Sequence, residues 1–140
     1  MIIKTYDYLP EEARFIRQTV FVEEQGFKEE FDSIDSTAVH AVAFIDGAPA
    51  ATGRIFPSEE DGVFYLGRLA VIKDFRKTGA GSAMIKHLEA EASKHGAVKI
   101  KLHAQVRAKG FYEKNGYAAE GEVFLEEFEP HITMVKSLKN

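Results

Sequence analysis

Arg76-Lys77-Thr78-Gly79-Ala80-Gly81 is the most informative stretch of the chain, and it joins an apolar run, Leu66 to Ile72, to a helix predicted from about Ser82. Two glycines around a small residue let the backbone approach a ligand closely. The free N–H groups and the partial positive charge at the start of a helix bind anions. Arg76 and Lys77 add full positive charges beside those groups. The stretch therefore predicts a phosphate-binding loop between a strand and a helix.

The spacing of the glycines separates this loop from two common phosphate-binding motifs. A P-loop has the pattern G-x-x-x-x-G-K-(S/T), and no Lys-Ser or Lys-Thr pair follows Gly81. A dinucleotide-binding loop has the pattern G-x-G-x-x-G, and Met84 stands where its third glycine would be. The stretch matches a third pattern, (R/Q)-x-x-G-x-(G/A), whose meaning depends on the rest of the chain.

A second motif follows one predicted helix and one predicted strand later. It reads Ala108-Lys109-Gly110-Phe111-Tyr112-Glu113-Lys114-Asn115-Gly116-Tyr117. Together the two stretches resemble the GNAT superfamily of N-acetyltransferases, whose acetyl-CoA pyrophosphate loop is (R/Q)-x-x-G-x-(G/A) and whose later signature is A-x-x-F-Y-(E/K)-K-x-G-(F/Y). Gly67-Arg68-Leu69-Ala70-Val71 resembles the superfamily's strand that carries the pantetheine arm of CoA.

Segments near both ends of the chain resemble one bacterial branch of small GNAT proteins. The first is Val20-Phe21-Val22-Glu23-Glu24-Gln25-Gly26, with Asp32, Asp35 and His40 behind it. The last is His131-Ile132-Thr133-Met134. The resemblance spans nearly the whole chain and implies a single GNAT domain over residues 1–140.

Composition is that of a globular protein. Of 140 residues, 45% are hydrophobic and 29% are charged, which is typical of folded rather than disordered chains. No apolar run approaches the roughly 20 residues of a membrane-spanning helix, and Met1 to Tyr6 resembles a strand rather than a signal peptide. The chain has no cysteine, which excludes disulfides and zinc–thiolate sites. We expect a cytoplasmic monomer or homodimer without a metal or a membrane partner.

Charge is distributed unevenly along the chain. The net charge is −4 and the pI is near 5.7, which argues against nucleic acid as the main partner. Residues 11–35 hold eight acidic and three basic side chains, whereas residues 66–114 hold eleven basic and four acidic ones. Such asymmetry draws anions to one region and cations to another. It fits a polyanion such as CoA together with a cationic amine acceptor.

The apolar pattern predicts a mixed α+β fold. The predicted strands are Ile2–Tyr6, Ala38–Ile45, Ala48–Phe56, Val63–Ile72, Val98–Gln105, Tyr117–Glu127 and Ile132–Leu138. Helices are predicted from Pro10, with an irregular β-branched end, from Ser82 to Gly96, and from Val106 to Asn115, with a short helical turn within residues 23–36. Asp46-Gly47 predicts a hairpin. With the resemblance, this predicts the GNAT fold: a mostly antiparallel sheet of six to seven strands, four or so helices on its faces, and strands four and five splayed around CoA.

The resemblance implies which residues bind acetyl-CoA. The main chain of Leu69, Ala70 and Val71 would pair with the pantetheine as an added strand, and an N–H near Val71 would polarise the thioester carbonyl. The pyrophosphate would lie on the loop amides, with Arg76 as a charged ligand. Those amides belong to Lys77, Thr78, Gly79, Ala80, Gly81 and Ser82. Tyr112 corresponds to the tyrosine that donates a proton to the CoA sulfur, and Gln105 stands where many relatives contact CoA through an asparagine.

The residue that deprotonates the acceptor is open. Several GNAT enzymes carry a glutamate on strand four, where this chain has Tyr65, and the stretch from Val63 to Ile72 contains no carboxylate. The alternative candidates are Glu24, His40, Glu122, His131 and an ordered water molecule. Glu24 is also a candidate for binding the amine. Arg68 interrupts an apolar strand, so it either binds an acidic group of the acceptor or pairs with Glu24 or Asp35.

Three functions follow from these patterns. The first is acetyl-CoA-dependent transfer of an acetyl group to a primary amine of a small molecule or a protein, which rests on the two spaced motifs and Tyr112. The second is a CoA-binding regulatory module without catalysis, which the missing strand-four carboxylate favours. The third is a nucleotide-binding protein, against which the absent P-loop lysine argues.

Overall fold

One mixed sheet organises the chain. The computed structural model describes residues 1–28 and 30–138, and within them the sheet has seven strands. They are β1 (Ile2–Tyr6), β2 (Val39–Ile45), β3 (Ala48–Pro57), β4 (Val63–Val71), β5 (Lys99–Gln105), β6 (Ala118–Glu126) and β7 (Glu129–Ser137). Their order across the sheet is β1-β2-β3-β4-β5-β7-β6, and among these strands only β4 and β5 run parallel. The predicted α+β fold with a mostly antiparallel sheet is confirmed.

Helices pack on both faces of the sheet. The α-helices of residues 1–28 and 30–138 are α1 (Glu11–Arg17), α2 (Ala80–Lys94) and α3 (Lys109–Lys114). A π-helix, Gln18–Glu24, continues α1, and 3₁₀ turns cover Ser33–Ser36, Lys73–Phe75 and Val106–Ala108. The three α-helices of this part of the chain are fewer than the four or so predicted, because the remaining helical segments are π or 3₁₀ turns. None of its helices is long and apolar enough to cross a membrane.

The π-helix has a local cause. The run Thr19-Val20-Phe21-Val22 places β-branched and aromatic side chains where they crowd the preceding helical turn. The Gln25 amide donates to the Val20 carbonyl at 3.1 Å, five residues back, which is the spacing of a π-helix. The irregular end predicted for this helix is confirmed.

The core divides between the two faces of the sheet. On one face α2 packs Met84, Ile85 and Leu88, each 0% exposed, over β3 and β4, in a cluster that also holds the apolar residues of β5. On the other face, Ala13 and Ile16 of α1 contact the second buried cluster. Because side chains alternate along a strand, the polar positions of β5 lie on the α1 side of the sheet.

The parallel strands β4 and β5 separate after a short stretch. Their pairs are Val63 with Lys99, Phe64 with Ile100 and Tyr65 with Lys101. The register between β3 and β4 then shifts, so that Arg68 and Leu69 together lie opposite Gly53. This is a β-bulge, and Arg68 adopts a positive φ of 51°, which is uncommon for a residue other than glycine. The bulge bends β4 away from β5, and the predicted splay is confirmed.

Several element ends differ from the predictions by a few residues. Helix α2 begins at Ala80 rather than Ser82, because Gly79 takes the left-handed conformation (φ 89°) as its N-cap. The helix predicted from Val106 begins as a 3₁₀ turn and becomes α-helical at Lys109. The hairpin at Asp46-Gly47 is confirmed, with φ of 51° and 82°.

Candidate active site

An open cleft of about 1090 Å³ lies where β4 and β5 separate. One end, here called the loop end, is lined by Lys77, Gly79, Gly81 and Ser82 beside α2 and by Tyr112 of α3. The opposite end, here called the aromatic end, is lined by Phe27, Phe56, Tyr65, His103, Glu126 and His131. Leu69, Ala70 and Val71 line the wall between them. The cleft therefore brings most of the predicted CoA-binding residues together.

The loop end has the backbone geometry of an anion site. Lys77 (φ 69°) and Gly79 (φ 89°) both take left-handed conformations, which turn neighbouring amides toward a common point. The first hydrogen bond of α2 runs from the Ala83 amide to the Gly79 carbonyl at 3.0 Å. The amides of Gly81 and Ser82 therefore belong to the first turn, where helical amides lack an intrahelical acceptor. Beyond Gly79 a Cβ atom would meet open space, so its missing side chain keeps the loop accessible.

Arg76 and Glu24, predicted as ligands of two different substrates, pair with each other. The Arg76 guanidinium donates to both Glu24 carboxylate oxygens, at 2.8 and 2.7 Å, and its Nε donates to the Val71 carbonyl at 3.0 Å. The hydrogen bond from Arg76 lowers the pKa of the Glu24 carboxyl. Glu24 thus lies beside the cleft, in a groove with Gln25 and Gln105, with its charge engaged by the loop arginine.

Tyr112 lies inside the cleft, as its motif predicted. Its ring meets Phe111 and Tyr117 edge-on, with centroids 5.2 and 6.1 Å away. The Tyr117 hydroxyl donates to Glu89 at 2.7 Å, whereas no group within residues 1–28 and 30–138 hydrogen-bonds the Tyr112 hydroxyl. Burial raises the pKa of Tyr112, so the phenol keeps its proton at neutral pH. Tyr112 thus presents, on the wall of the cleft, a hydroxyl for which the described part of the chain offers no acceptor.

Gln105 marks the end of β5 at the edge of the cleft. Its Nε2 donates to the Gln25 side chain at 2.9 Å, and its Oε1 accepts from Arg107 at 2.9 Å. These bonds fix the amide between the π-helical segment and the turn before α3. It lines the cleft, as predicted for a CoA contact, but its amide is already hydrogen-bonded within the protein.

A network of three arginines and three carboxylates supports the aromatic end. It consists of Arg17, Arg54, Arg68, Glu30, Asp32 and Asp35. Arg17 is 1% exposed and donates to Glu30 and Asp35, each at 2.7 Å. Arg68 pairs with Glu30 at 3.1 Å and Asp32 at 3.3 Å, because the bulge turns it toward residues 30–32. Of the two alternatives for Arg68, a structural ion pair is therefore present, but with Glu30 and Asp32 in place of Glu24 or Asp35. The arginines therefore neutralise Glu30, Asp32 and Asp35, which belong to the acidic segment that the sequence predicted would attract a cation.

Burial and charge act against each other in this network. Burial alone would raise the pKa of Asp35, but the hydrogen bond and the charge of Arg17 outweigh it and lower the pKa to about 2. For Glu30 the effect of burial is larger than the opposing effect of the Arg68 and Arg17 charges, so the pKa of Glu30 is raised. Arg54 Nε is buried without a hydrogen-bond acceptor in the described part of the chain. The network is therefore tightly coupled and sensitive to the loss of any member.

A histidine–glutamate pair at the aromatic end was missed by the sequence reasoning. His103 Nδ1 lies 3.0 Å from Glu126 Oε1, and His131 Nε2 lies 3.6 Å from the other carboxylate oxygen. The His103 ring meets Tyr65 and Phe124 edge-on, at 5.6 and 5.1 Å. The only sequence signal was the polar face of β5, which names His103 but not its partner on β6.

The remaining candidates for the base lie elsewhere. His40 is 1% exposed, and its Nε2 lies 3.0 Å from the Asp35 carbonyl, which is a structural position away from the residues that line the cleft. Glu122 is exposed on β6 and also lies outside that lining. Residues 1–28 and 30–138 hold no group of three or more His, Cys, Asp or Glu side chains suited to a metal ion.

Comparison with known proteins gives a consistent result. The family model described as "Acetyltransferase (GNAT) domain" matches residues 5–138. The N-acetyltransferase YjcF of Bacillus subtilis is 36% identical over 128 residues, covering 89% of this chain and 90% of that protein. An N-acetyltransferase structure from Lactobacillus plantarum has a TM-score of 0.87 and 29% identity, covering 99% of this chain and 100% of that one.

A more distant structure shares the fold. An aminoglycoside 6'-N-acetyltransferase solved with coenzyme A has a TM-score of 0.77 and 18% identity, covering 100% of this chain and 98% of that one. At this identity the likeness concerns the fold alone. The family model and the relatives above 30% identity carry the assignment. The chain therefore belongs to the GNAT acetyltransferase family and is an N-acetyltransferase enzyme.

Proposed function

We propose that this enzyme transfers the acetyl group of acetyl-CoA directly to a primary amine. The observation that carries the proposal is the cleft between β4 and β5, which connects the start of α2 to the Tyr112 hydroxyl, for which the described residues provide no hydrogen-bond partner. The coenzyme A in the solved aminoglycoside acetyltransferase, a protein of the same fold, supports the choice of donor. The predicted cytoplasmic location stays a prediction.

The residues at the loop end fit the phosphates and pantetheine of CoA. The amides from Lys77 to Ser82 would hold the pyrophosphate, aided by the open space beyond Gly79. The β4 main chain from Leu69 to Val71 would pair with the pantetheine, although the Val71 carbonyl already accepts from Arg76. Arg76 would reach a phosphate only by giving up Glu24, so the two compete for one guanidinium.

Tyr112 would then protonate the leaving sulfur. Acetyl-CoA supplies an activated acetyl thioester, and aminolysis needs a neutral amine, a polarised carbonyl and a proton for the thiolate. A neutral phenol on the wall of the cleft, with no hydrogen-bond acceptor among residues 1–28 and 30–138, can supply that proton. A β4 amide near Val71 would polarise the carbonyl.

Release of CoA thiol tests this proposal directly. Because the chain has no cysteine, a thiol reagent reports CoA without a protein background. With acetyl-CoA and a panel of primary amines, we expect Tyr112→Phe to lower kcat by about 10²-fold, the scale of general acid catalysis. The control is Tyr8→Phe, which removes a hydroxyl from a residue that is 57% exposed outside the cleft. Binding of acetyl-CoA without thiol release by the wild type would favour the non-catalytic CoA-binding module instead.

A further inference from the structure

The aromatic end of the cleft contains a second set of chemical groups that the proposed function leaves unused. His103 and Glu126 come from β5 and β6, lie 3.0 Å apart, and both line the cleft. We propose that His103 is the general base that deprotonates the amine acceptor, and that Glu126 is the positioning residue that holds its imidazole. This inference rests on the proposed function and identifies where its acceptor loses a proton.

The chemistry of the pair determines which nitrogen of His103 is basic. An ionised carboxylate only accepts hydrogen bonds, so the nitrogen that faces it carries the proton. The hydrogen bond from His103 lowers the pKa of the Glu126 carboxyl, which keeps Glu126 ionised. Nδ1 of the neutral ring is therefore the donor, and Nε2 holds the free lone pair. No group within residues 1–28 and 30–138 occupies that Nε2.

His131 is a poorer base although it is close to the same carboxylate. It is 5% exposed, its Nδ1 lies 2.9 Å from the Glu129 carbonyl, and its Nε2 faces Glu126 at 3.6 Å. Both of its nitrogens are therefore directed at protein groups. His103 is more exposed, and only one of its nitrogens has a partner in the described part of the chain.

The position of His103 compensates for the absence of a carboxylate on β4. Strand β4, Val63–Val71, carries no Asp or Glu, and the His103 ring meets Tyr65 of that strand edge-on at 5.6 Å. The base would thus come from the neighbouring strand to the same part of the cleft. The other charged or titratable groups facing the pair are Arg68 and Tyr65 on β4 and His131 on β7.

The aromatic walls indicate the kind of amine. Phe56 stacks on Tyr65 at 5.5 Å, and both rings line the cleft together with Phe27 and the Glu126 carboxylate. Aromatic faces and a carboxylate together attract an alkylammonium group that carries an apolar or aromatic substituent. An amine of this class would place its cationic nitrogen beside Nε2 of His103.

The proton balance of the step is simple. His103 Nε2 takes one proton from the ammonium group, and the neutral nitrogen forms a bond to the acetyl carbonyl carbon. The carbon–sulfur bond breaks, and the sulfur takes the proton of Tyr112. The nitrogen then loses a second proton, which is transferred to Tyr112. The products are the acetamide, CoA thiol and one proton, which His103 releases to water.

Thiol release over a range of pH tests the role of His103. We use acetyl-CoA with 2-phenylethylamine and n-butylamine on the wild type, His103→Gln, Glu126→Gln and His95→Gln, a control histidine outside the cleft. At pH 7 we expect kcat/KM of His103→Gln to fall by about 10²-fold, the scale of general base catalysis. The rate of this variant should keep rising up to the pKa of the free amine, whereas the wild-type rate levels off earlier.

The variant Glu126→Gln distinguishes a role of Glu126 in positioning the His103 imidazole from a purely structural role. Without the carboxylate, Nδ1 of His103 loses its acceptor at 3.0 Å, so the ring is no longer held in the tautomer that leaves Nε2 free. Histidine NMR should show a changed His103 tautomer in Glu126→Gln, and kcat/KM should fall while acetyl-CoA binds with its wild-type affinity. Equal kcat/KM profiles for the wild type and His103→Gln, or an unchanged His103 tautomer in Glu126→Gln, would overturn this inference alone. No thiol release by the wild type with either amine, despite acetyl-CoA binding, would overturn the proposed function and this inference with it.

Discussion

The two ends of the cleft differ in how the chain builds them. The loop end is nearly continuous in sequence, since residues 76–82 form a turn and a helix start whose geometry depends on Gly79. The aromatic end is assembled from the segment after the π-helix and from strands β3 to β7. Its two polar side chains in contact, His103 and Glu126, are 23 residues apart in the sequence. Under the proposed function, binding of the acetyl donor would depend on a local motif, whereas recognition of the acceptor would depend on long-range packing.

Removal of Arg17 should have the largest effect on stability and should separate the two ends. In Arg17→Met, Glu30 and Asp35 lose the guanidinium that both carboxylates contact at 2.7 Å. Breaking a buried pair in this way costs about 3–5 kcal/mol of unfolding free energy. Urea denaturation measures the loss, and Lys94→Gln, which breaks an exposed pair with Glu91, is the control.

The same variant also tests whether the loop end is independent. At a temperature where Arg17→Met is still folded, acetyl-CoA should bind with its wild-type affinity, because the loop end contacts none of the network. A parallel loss of acetyl-CoA binding in the folded variant would show that the two ends are not separable.

Acid should weaken the network in a defined pH range. The pKa of Asp35 is lowered to about 2 in the folded protein, from an ordinary value of 3.8. A lowered folded-state pKa contributes stability above the unfolded pKa, and this stability is lost as the pH falls from about 4 to about 2. The shift corresponds to about 2 kcal/mol.

Urea denaturation at pH 5 and pH 2.5 measures this contribution. The difference in unfolding free energy between the wild type and Asp35→Asn should be larger at pH 5 than at pH 2.5. A difference that does not change between the two values would mean that Asp35 is not an ionised partner of Arg17.

The smallest effect should come from the contact that links Arg76 to the π-helix. Glu24 and Arg76 form a half-exposed pair, each 38% exposed in its side chain. Such pairs contribute little, so Glu24→Gln should free Arg76 for phosphate and tighten acetyl-CoA binding by about 2- to 5-fold. Calorimetric titration measures this, with Glu23→Gln, an exposed neighbour, as the control. Weaker binding in Glu24→Gln would contradict competition for Arg76.

The sequence predicted what depends on local geometry. The glycine loop, the Tyr112 motif and the seven strands could be recognised because each depends on a spacing of two to four residues along the chain. The splay of β4 and β5 came from the family resemblance, and its physical cause, the bulge at Arg68, gave no sequence signal other than a charge in an apolar strand.

Other features could not be predicted because they depend on distant partners. Nothing in the sequence distinguished Arg17 from the other basic residues, yet it is 1% exposed and pairs with Glu30 and Asp35. Glu126 lies on a strand whose residues are mostly exposed, and only its contact with His103 distinguishes it. The excess of acidic residues between positions 11 and 35 also suggested carboxylates open to a cation. A count of charges does not record which carboxylates pair with an arginine, as Glu30, Asp32 and Asp35 do.

The most direct test of the cleft as the acetyl-CoA site is a binding titration with two matched glycine variants. Gly79 and Gly47 have φ of 89° and 82° and open space beyond them, so a tryptophan causes similar backbone strain at each position. Calorimetry with acetyl-CoA, ATP and NAD should show acetyl-CoA binding to the wild type and to Gly47→Trp, and none to Gly79→Trp. Equal acetyl-CoA binding by both variants, or stronger binding of ATP than of acetyl-CoA, would contradict the assignment of the loop end as the CoA site.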